Sequence, residues 1–232
     1  MPSRQKTLYF LSSTLVTAIS VGVLGYGLST NWAIVTMDCA RSDNNLFNGT
    51  AEVIYTFFNG TLTRDSCPSF GSRDNFEVFA MLAKIGGSSL ALHSLVMSLL
   101  VLCFLFSAAS ILISLYNSIS NPYETYMGPV GVYSSCLAST ACLSVLVLIV
   151  FVLNVTFTNL AEETVRNFTQ AIPVELKNKS AEMQLGYYLV IPYAVLSLLA
   201  VGVTYMYDHT AYTHRREQQK PTEDAPKEIM MY

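Results

Sequence analysis

Residues 92–116 read LHSLVMSLLVLCFLFSAASILISLY, a run in which His93 is the only basic side chain and Asp, Glu, Lys and Arg are absent. As a helix rising about 1.5 Å per residue, the run reaches about 37 Å, more than the roughly 30 Å of bilayer hydrocarbon. A soluble helix of that length needs a polar face, and none is available here. The segment is therefore expected to cross a membrane.

Working outward, the same absence of charge recurs from Leu8 to Met37, from Thr125 to Ala161 and from Met183 to Tyr207. Charged residues make up 12% of the chain, about half the share in an ordinary soluble domain, while apolar residues reach 52%. Four spans follow, at 8–28, 92–116, 131–153 and 187–207, with interfacial aromatics such as Tyr9, Tyr26, Tyr116, Tyr187 and Tyr205 towards their ends. Inside lipid only helices or closed barrels satisfy the backbone, and runs this long and uniformly apolar suit helices. The first run exceeds the apolar core of a signal peptide and is expected to stay as an anchor. Pro2 excludes N-myristoylation. The expected fold is an all-α membrane protein, a four-helix transmembrane bundle with a small β-rich cap on its first outer loop.

Sidedness comes from the N-x-[ST] pattern at Asn48, Asn59, Asn154, Asn167 and Asn178. Every one falls in the loops at 29–91 and 154–186 or at their border; none lies in the tails, 1–7 and 208–232, or in the turn at 117–130. The loops are therefore expected outside and both termini in the cytosol, in a multi-pass plasma-membrane protein. Asn48, Asn59, Asn167 and Asn178 are the expected glycan acceptors. Asn154, at the end of the third span, would crowd a glycan against the bilayer.

Within the first outer loop, Val53-Ile54-Tyr55-Thr56-Phe57-Phe58 is punctuated by Asn59-Gly60 and Pro68, which reads as short strands and turns. Phe76, Phe79, Leu82 and Ala83 have helical spacing and predict a helix over 76–85 leading into the second span. Cys39 and Cys67 are the cysteines outside the spans, and an oxidising exterior favours a bond between them over two free thiols. In the second outer loop, Ala161–Gln170 predicts an exposed helical extension of the third span. Asn121-Pro122 and Gly128-Pro129 are turn chemistry that folds spans two and three into a hairpin.

The sequence carries no catalytic pattern and no set of metal ligands, and no cofactor is expected. No basic stripe interleaved with aromatics points to nucleic acid. His93, near the outer end of span two, reads as a hydrogen-bonding anchor rather than a proton relay. Small residues at interface spacing, Ala18, Gly22, Gly25 and Ser29 in span one and Ser107, Ala108, Ser110 and Ser114 in span two, are expected to pack the protein's own helices. Pro192 predicts a kink in span four. The tail after Tyr207 is polar and reads as disordered, its basic start resting near lipid headgroups. It ends in Met230-Met231-Tyr232, whose carboxylate with Met230 and Tyr232 as anchors has the form taken by PDZ-type scaffolds.

The segment Tyr116–Tyr133, with Asn121-Pro122-Tyr123-Glu124 and Gly128-Pro129-Val130-Gly131 at its centre, resembles the same region of the clarins. The opening Met1-Pro2-Ser3, the Leu92-His93-Ser94 start of span two and the tail around Arg216–Pro226 look most similar to the third clarin paralogue. Tyr55-Thr56-Phe57-Phe58 stands in place of the family's aromatic motif, with Thr56 departing from it. Clarins are in turn similar to claudin-type and stargazin-type proteins, which carry a sheet on the first outer loop; Trp32 with Cys39 and Cys67 would be the counterparts of the claudin Trp and paired Cys. The resemblance implies a membrane organiser or auxiliary subunit at specialised plasma membrane, linked to hearing and vision and working on lipid and other membrane proteins. A claudin-like adhesion role is the alternative, and a channel or transporter ranks last because the spans offer hydroxyls but no ring of charge.

Overall fold

A computed structural model of the protein describes residues 4–41, 49–67, 71–119, 140, 142–169 and 174–218. The chain forms helix α1 (Arg4–Ser29), strands β1 (Asn31–Arg41), β2 (Gly49–Thr56), β3 (Asn59–Asp65) and β4 (Ser72–Glu77), and helices α2 (Val78–Ile85) and α3 (Gly87–Ile119). Helices α4 (Leu143–Phe157) and α5 (Leu160–Phe168), strand β5 (Val174–Met183), and helices α6 (Leu185–Tyr188) and α7 (Val190–Gln218) complete it. Three stretches, Thr7–Ser29, Gly87–Ile119 and Leu185–Tyr207, are long and apolar enough to cross a membrane. Helix α4 alone, 15 residues, reaches only about 22 Å. It makes a fourth candidate when taken with α5, which leaves it at a bend of 51°. The expected third span is thus described only from its middle onward, and 131–139 and most of the 117–130 turn lie outside the described residues.

The helices pack with α1 between α3 and α7, and with α4 against α3. Their large apolar side chains mostly face outward, as lipid requires, from Leu8 to Tyr26 on α1 and from Leu95 to Leu115 on α3. Between α1 and α7 the contacts are small hydroxyls. Ser13 Oγ donates to the Ala200 carbonyl at 3.1 Å, Thr204 Oγ1 lies 3.1 Å from Ser13 Oγ, and Ser197 Oγ lies 3.3 Å from Ser20 Oγ. Such bonds average about 0.6 kcal/mol in membranes, so close backbone approach contributes as much as the bonds themselves. On α3, Ser107 and Ser110 are buried as expected, and Ser107 meets the buried Tyr193 hydroxyl of α7 at 2.9 Å. Span one departs from expectation: Ala18, Gly22, Gly25 and Ser29 face away from the other helices, and a Cβ at Gly22 or Gly25 would touch nothing within 4 Å. The hydroxyl face of Ser13, Thr17 and Ser20 takes the interior instead. Pro192 falls in the first turn of α7, where its missing N–H costs little, so the expected kink is replaced by the short break at Leu189 between α6 and α7.

The sheet is antiparallel with order β4-β3-β2-β1-β5, so β1 lies between β2 and the edge strand β5. Its fifth strand corrects the expected cap: β5 comes from the second outer loop, and Val35 pairs with Val53 on one side and Ala181 on the other. Alternation sets the buried face, with Ala51, Val53 and Tyr55 of β2 inward. Phe76 stands in β4 opposite Gly60 rather than in a helix, so the helix expected over 76–85 starts two residues later at Val78. Gly86 and Gly87, both at positive φ near 70°, then turn the chain from α2 into α3. Helix α5 is amphipathic rather than exposed, burying Leu160, Ala161, Thr164 and Val165 against the cap.

Gly186 of α6 lies where a Cβ would stand 2.5 Å from the Trp32 ring and 2.7 Å from the Gly27 carbonyl. Gly186→Ala therefore has to move α6 away from α1, and by analogy with other overpacked sites should cost about 1–3 kcal/mol. Gly22→Ala, inside α1 with open space around it, should keep stability or raise it by about 0.5–1 kcal/mol. Thermal unfolding of both variants in detergent micelles checks the contrast; equal melting temperatures would contradict the packing described.

Candidate functional site: the cap and its mounting on the helices

The cap meets the helices through Trp32, the second residue of β1. Its side chain is fully buried, with ring centroids 5.1 Å from Phe57 of the β2–β3 turn and 5.0 Å from Phe151 of α4. Its Nε1 donates to the Gly27 carbonyl at 2.9 Å, an oxygen in the last turn of α1 that also accepts from the N–H and the hydroxyl of Thr30. One residue thus joins α1, α4, α6 and the sheet.

Cys39 and Cys67 are bonded, with Cα atoms 5.6 Å apart. The bond runs from the end of β1 to the residues following β3, so it ties together strands that flank β2. Arg64, nearly buried, places Nη2 2.6 Å from Asp74 Oδ2 of β4 and donates from Nη1 to the Phe168 carbonyl at 3.3 Å. That carbonyl ends α5, so a guanidinium at a helix C-terminus holds the second loop onto the first. The Tyr55 hydroxyl meets Thr164 Oγ1 of α5 at 3.2 Å. Burial pushes its pKa far above the ordinary tyrosine value, and it stays protonated. Lys179 of β5 donates to the Thr158 carbonyl at 2.8 Å and pairs with Glu162 at 3.2 Å, so its ammonium closes the bend between α4 and α5.

His93 stacks on Phe57 at 5.2 Å and meets Phe79 edge-on at 5.4 Å. The buried Nε2 of the imidazole has no hydrogen-bond partner. The ring holds the β2–β3 turn to the start of α3. Cys103 of α3 is buried. Among the described residues, no three His, Cys, Asp or Glu side chains gather as metal ligands do.

The asparagines of the N-x-[ST] pattern are dispersed. Asn59 is exposed at the start of β3, and its backbone N–H and carbonyl both bond the Thr56 hydroxyl. Asn167, half-buried on α5, donates to the Glu163 carbonyl and lines a recess of about 280 Å³ with Met81, Lys84 and Phe168. Asn178 is exposed at positive φ where β5 bulges against β1, and its amide donates to Asp38 at 2.7 Å. Asn154 is fully buried in α4. Asn48, Met230 and Tyr232 lie outside the described residues. Sequence reasoning did not single out Arg64, Lys179 or Gly186, each of which acts through a partner more than twenty positions away or across a loop. Only the amphipathic spacing of Leu160, Ala161, Thr164 and Val165 could have pointed to α5 as a docking helix.

If Cys39 and Cys67 act as a single link, Cys39→Ser and Cys67→Ser should each destabilise the cap by roughly 3–4 kcal/mol, and the double variant by no more than either one. Protease resistance of the cap in micelles reads this, and additive losses would overturn the pairing.

The Clarin-2-like family model matches residues 5–198. Clarin-3 of Rattus norvegicus is 34% identical over 235 aligned positions, covering all of both chains. Clarin-3 of Mus musculus and Clarin-3 of Homo sapiens are each 32% identical over the same full extent. With the family match running from α1 through the whole cap into α7, this chain belongs to the clarin family.

Proposed function

We propose that this membrane protein works as a clarin-type organiser or auxiliary subunit of the plasma membrane, with the cap outside the cell and both tails in the cytosol. The observation that carries the proposal is the mounting of the cap. Sheet, α5 and helices are joined through Trp32, Arg64 and Lys179, so a partner bound to the cap acts on the helices rather than on a loose loop. The sheet ends in edge strands β4 and β5, and β5 alternates Glu175, Lys177, Lys179 and Glu182, which keeps the edge soluble while leaving backbone groups for a partner. On α1 the outward Gly22 and Gly25 leave room for close approach of another protein's helix. Asn48, Asn59, Asn167 and Asn178 carry the glycans of the outer face in this reading. The terminal Met230-Met231-Tyr232 docks a PDZ-type scaffold on the inner one. The family's link to hearing and vision supports sensory cells as the setting of such assemblies in this reading.

A claudin-like adhesion role is the second reading, favoured by a five-stranded cap built on Trp32 and a disulfide. In that case expression in non-adherent cells should gather the protein at cell contacts.

Proximity labelling from an enzyme fused to the N-terminal tail should recover reproducible membrane neighbours and, with the C-terminus intact, PDZ-containing scaffolds. Deleting Met230–Tyr232 should lose the scaffolds and keep the membrane neighbours. No reproducible neighbour in either form would sink the organiser reading.

A further inference from the structure

The exposed large apolar side chains of α3 start at Leu95 and continue to Ile119, about 36 Å at about 1.5 Å per residue and enough to cross the hydrocarbon. His93 sits two residues before the first of them, at the cap-side end of that apolar surface, where the lipid headgroups and glycerols begin. On the cap side of the other helices this depth is marked by exposed aromatics, Tyr26 of α1 at 61%, Phe157 of α4 at 77% and Tyr188 of α6 at 52%. Such rings anchor a membrane protein at the interface. The corresponding stretch of α3, Gly87 to Ser94, has no aromatic residue.

Two cap residues stand at that place. The ring of Phe79 meets His93 at 5.4 Å from α2, and Phe58 follows Phe57, whose own ring stacks on His93 at 5.2 Å. Phe57 and Phe58 are in edge contact at 5.3 Å, and the Phe58 carbonyl accepts the first N–H of α2 from Val78 at 2.9 Å. The two turns are thereby joined as one unit. Phe57 is fully buried within it, yet Phe58 is 49% exposed and Phe79 39% exposed. A polar cap facing only water would gain nothing from two open phenylalanines, whereas lipid beside α3 offers them an apolar boundary continuous with the surface that starts at Leu95. Lys84, exposed in the last turn of α2, adds a cation for headgroup phosphates.

We propose that Phe58 and Phe79 insert into the lipid interface beside α3, supplying from the cap the aromatic anchor that this helix lacks. The occupant is phospholipid, at the boundary between headgroup and acyl chain. The proposal requires the helices to lie in lipid but not that the cap bind any partner, so it can fail while the organiser reading stands.

The test uses the full chain reconstituted in phosphatidylcholine vesicles. Phe58→Trp and Phe79→Trp each add one indole to the buried Trp32, and the added emission is read as the difference from the unsubstituted chain. Lipids brominated on the acyl carbons nearest the glycerol should remove about half or more of that added emission, consistent with burial to about 5–10 Å, and aqueous iodide should remove little. The reverse pattern would overturn the proposal. The unsubstituted chain gives a measurement free of any folding defect: a phospholipid with a photoreactive group near its glycerol should label peptides containing Phe58 and Phe79 as well as those of α3. Labelling confined to α3 would overturn it equally.

Discussion

A buried indole with its N–H answered by a single carbonyl governs how the two halves of this protein meet. Trp32 follows the end of α1 too closely to move independently of it, and the Gly27 oxygen it uses is one that a helix terminus must satisfy somehow. The ring then fills the space above Gly186 and between Phe57 and Phe151. Orientation of the sheet relative to the helices is therefore set by packing around one side chain, before any charged contact is counted.

Polar interactions divide by solvent. In the helices they are hydroxyl contacts, such as those of Ser13, Thr204, Ser197 and Tyr193, which satisfy themselves or nearby carbonyls without bringing charge into lipid. In the cap they are charge-assisted and partly shielded. Arg64 reaches both Asp74 and a helix-terminal carbonyl from a nearly buried position, where such bonds are stronger than between neutral groups. The exposed Arg166–Glu163 pair, at 3.9 Å on one helix surface, contributes little by comparison. The shielded ion pairs each brace one loop, Arg64–Asp74 the first and Lys179–Glu162 the second, and the two loops are joined by the bond from Arg64 to the Phe168 carbonyl and by the Tyr55–Thr164 contact.

The first, second and last apolar stretches were legible because each is a long run without charge, and the physics of lipid leaves a backbone in such a run one choice. The link between Cys39 and Cys67 was legible because they are alone in their compartment. The fifth strand was hidden: Val174–Met183 reads as a polar loop since an edge strand with solvent on several sides carries no sustained alternation. Phe76 misled because its spacing to Phe79 fits a helix, while the pairing partner that makes it a strand residue, Gly60, lies far back in the chain. The small-residue stripe of α1 misled for a different reason. Ala18 and Gly22 satisfy the rule for close approach, but Ser13, Thr17 and Ser20 satisfy it too, and only the position of α7 chooses between the two faces. Of the candidate site, the N-x-[ST] asparagines stand out through a local pattern, whereas the braces made by Arg64 and Lys179 depend on contacts between distant segments.

The strand order also has a consequence for biogenesis. Strand β1, held between β2 and β5, gains its second neighbour only when Val174 has been made to meet Arg41. At ribosomal rates of roughly 5–20 residues per second, that interval lasts on the order of ten seconds. For that time one flank of β1 presents bare amides and carbonyls. A fold built this way leaves that flank open to wrong strand pairing until translation catches up.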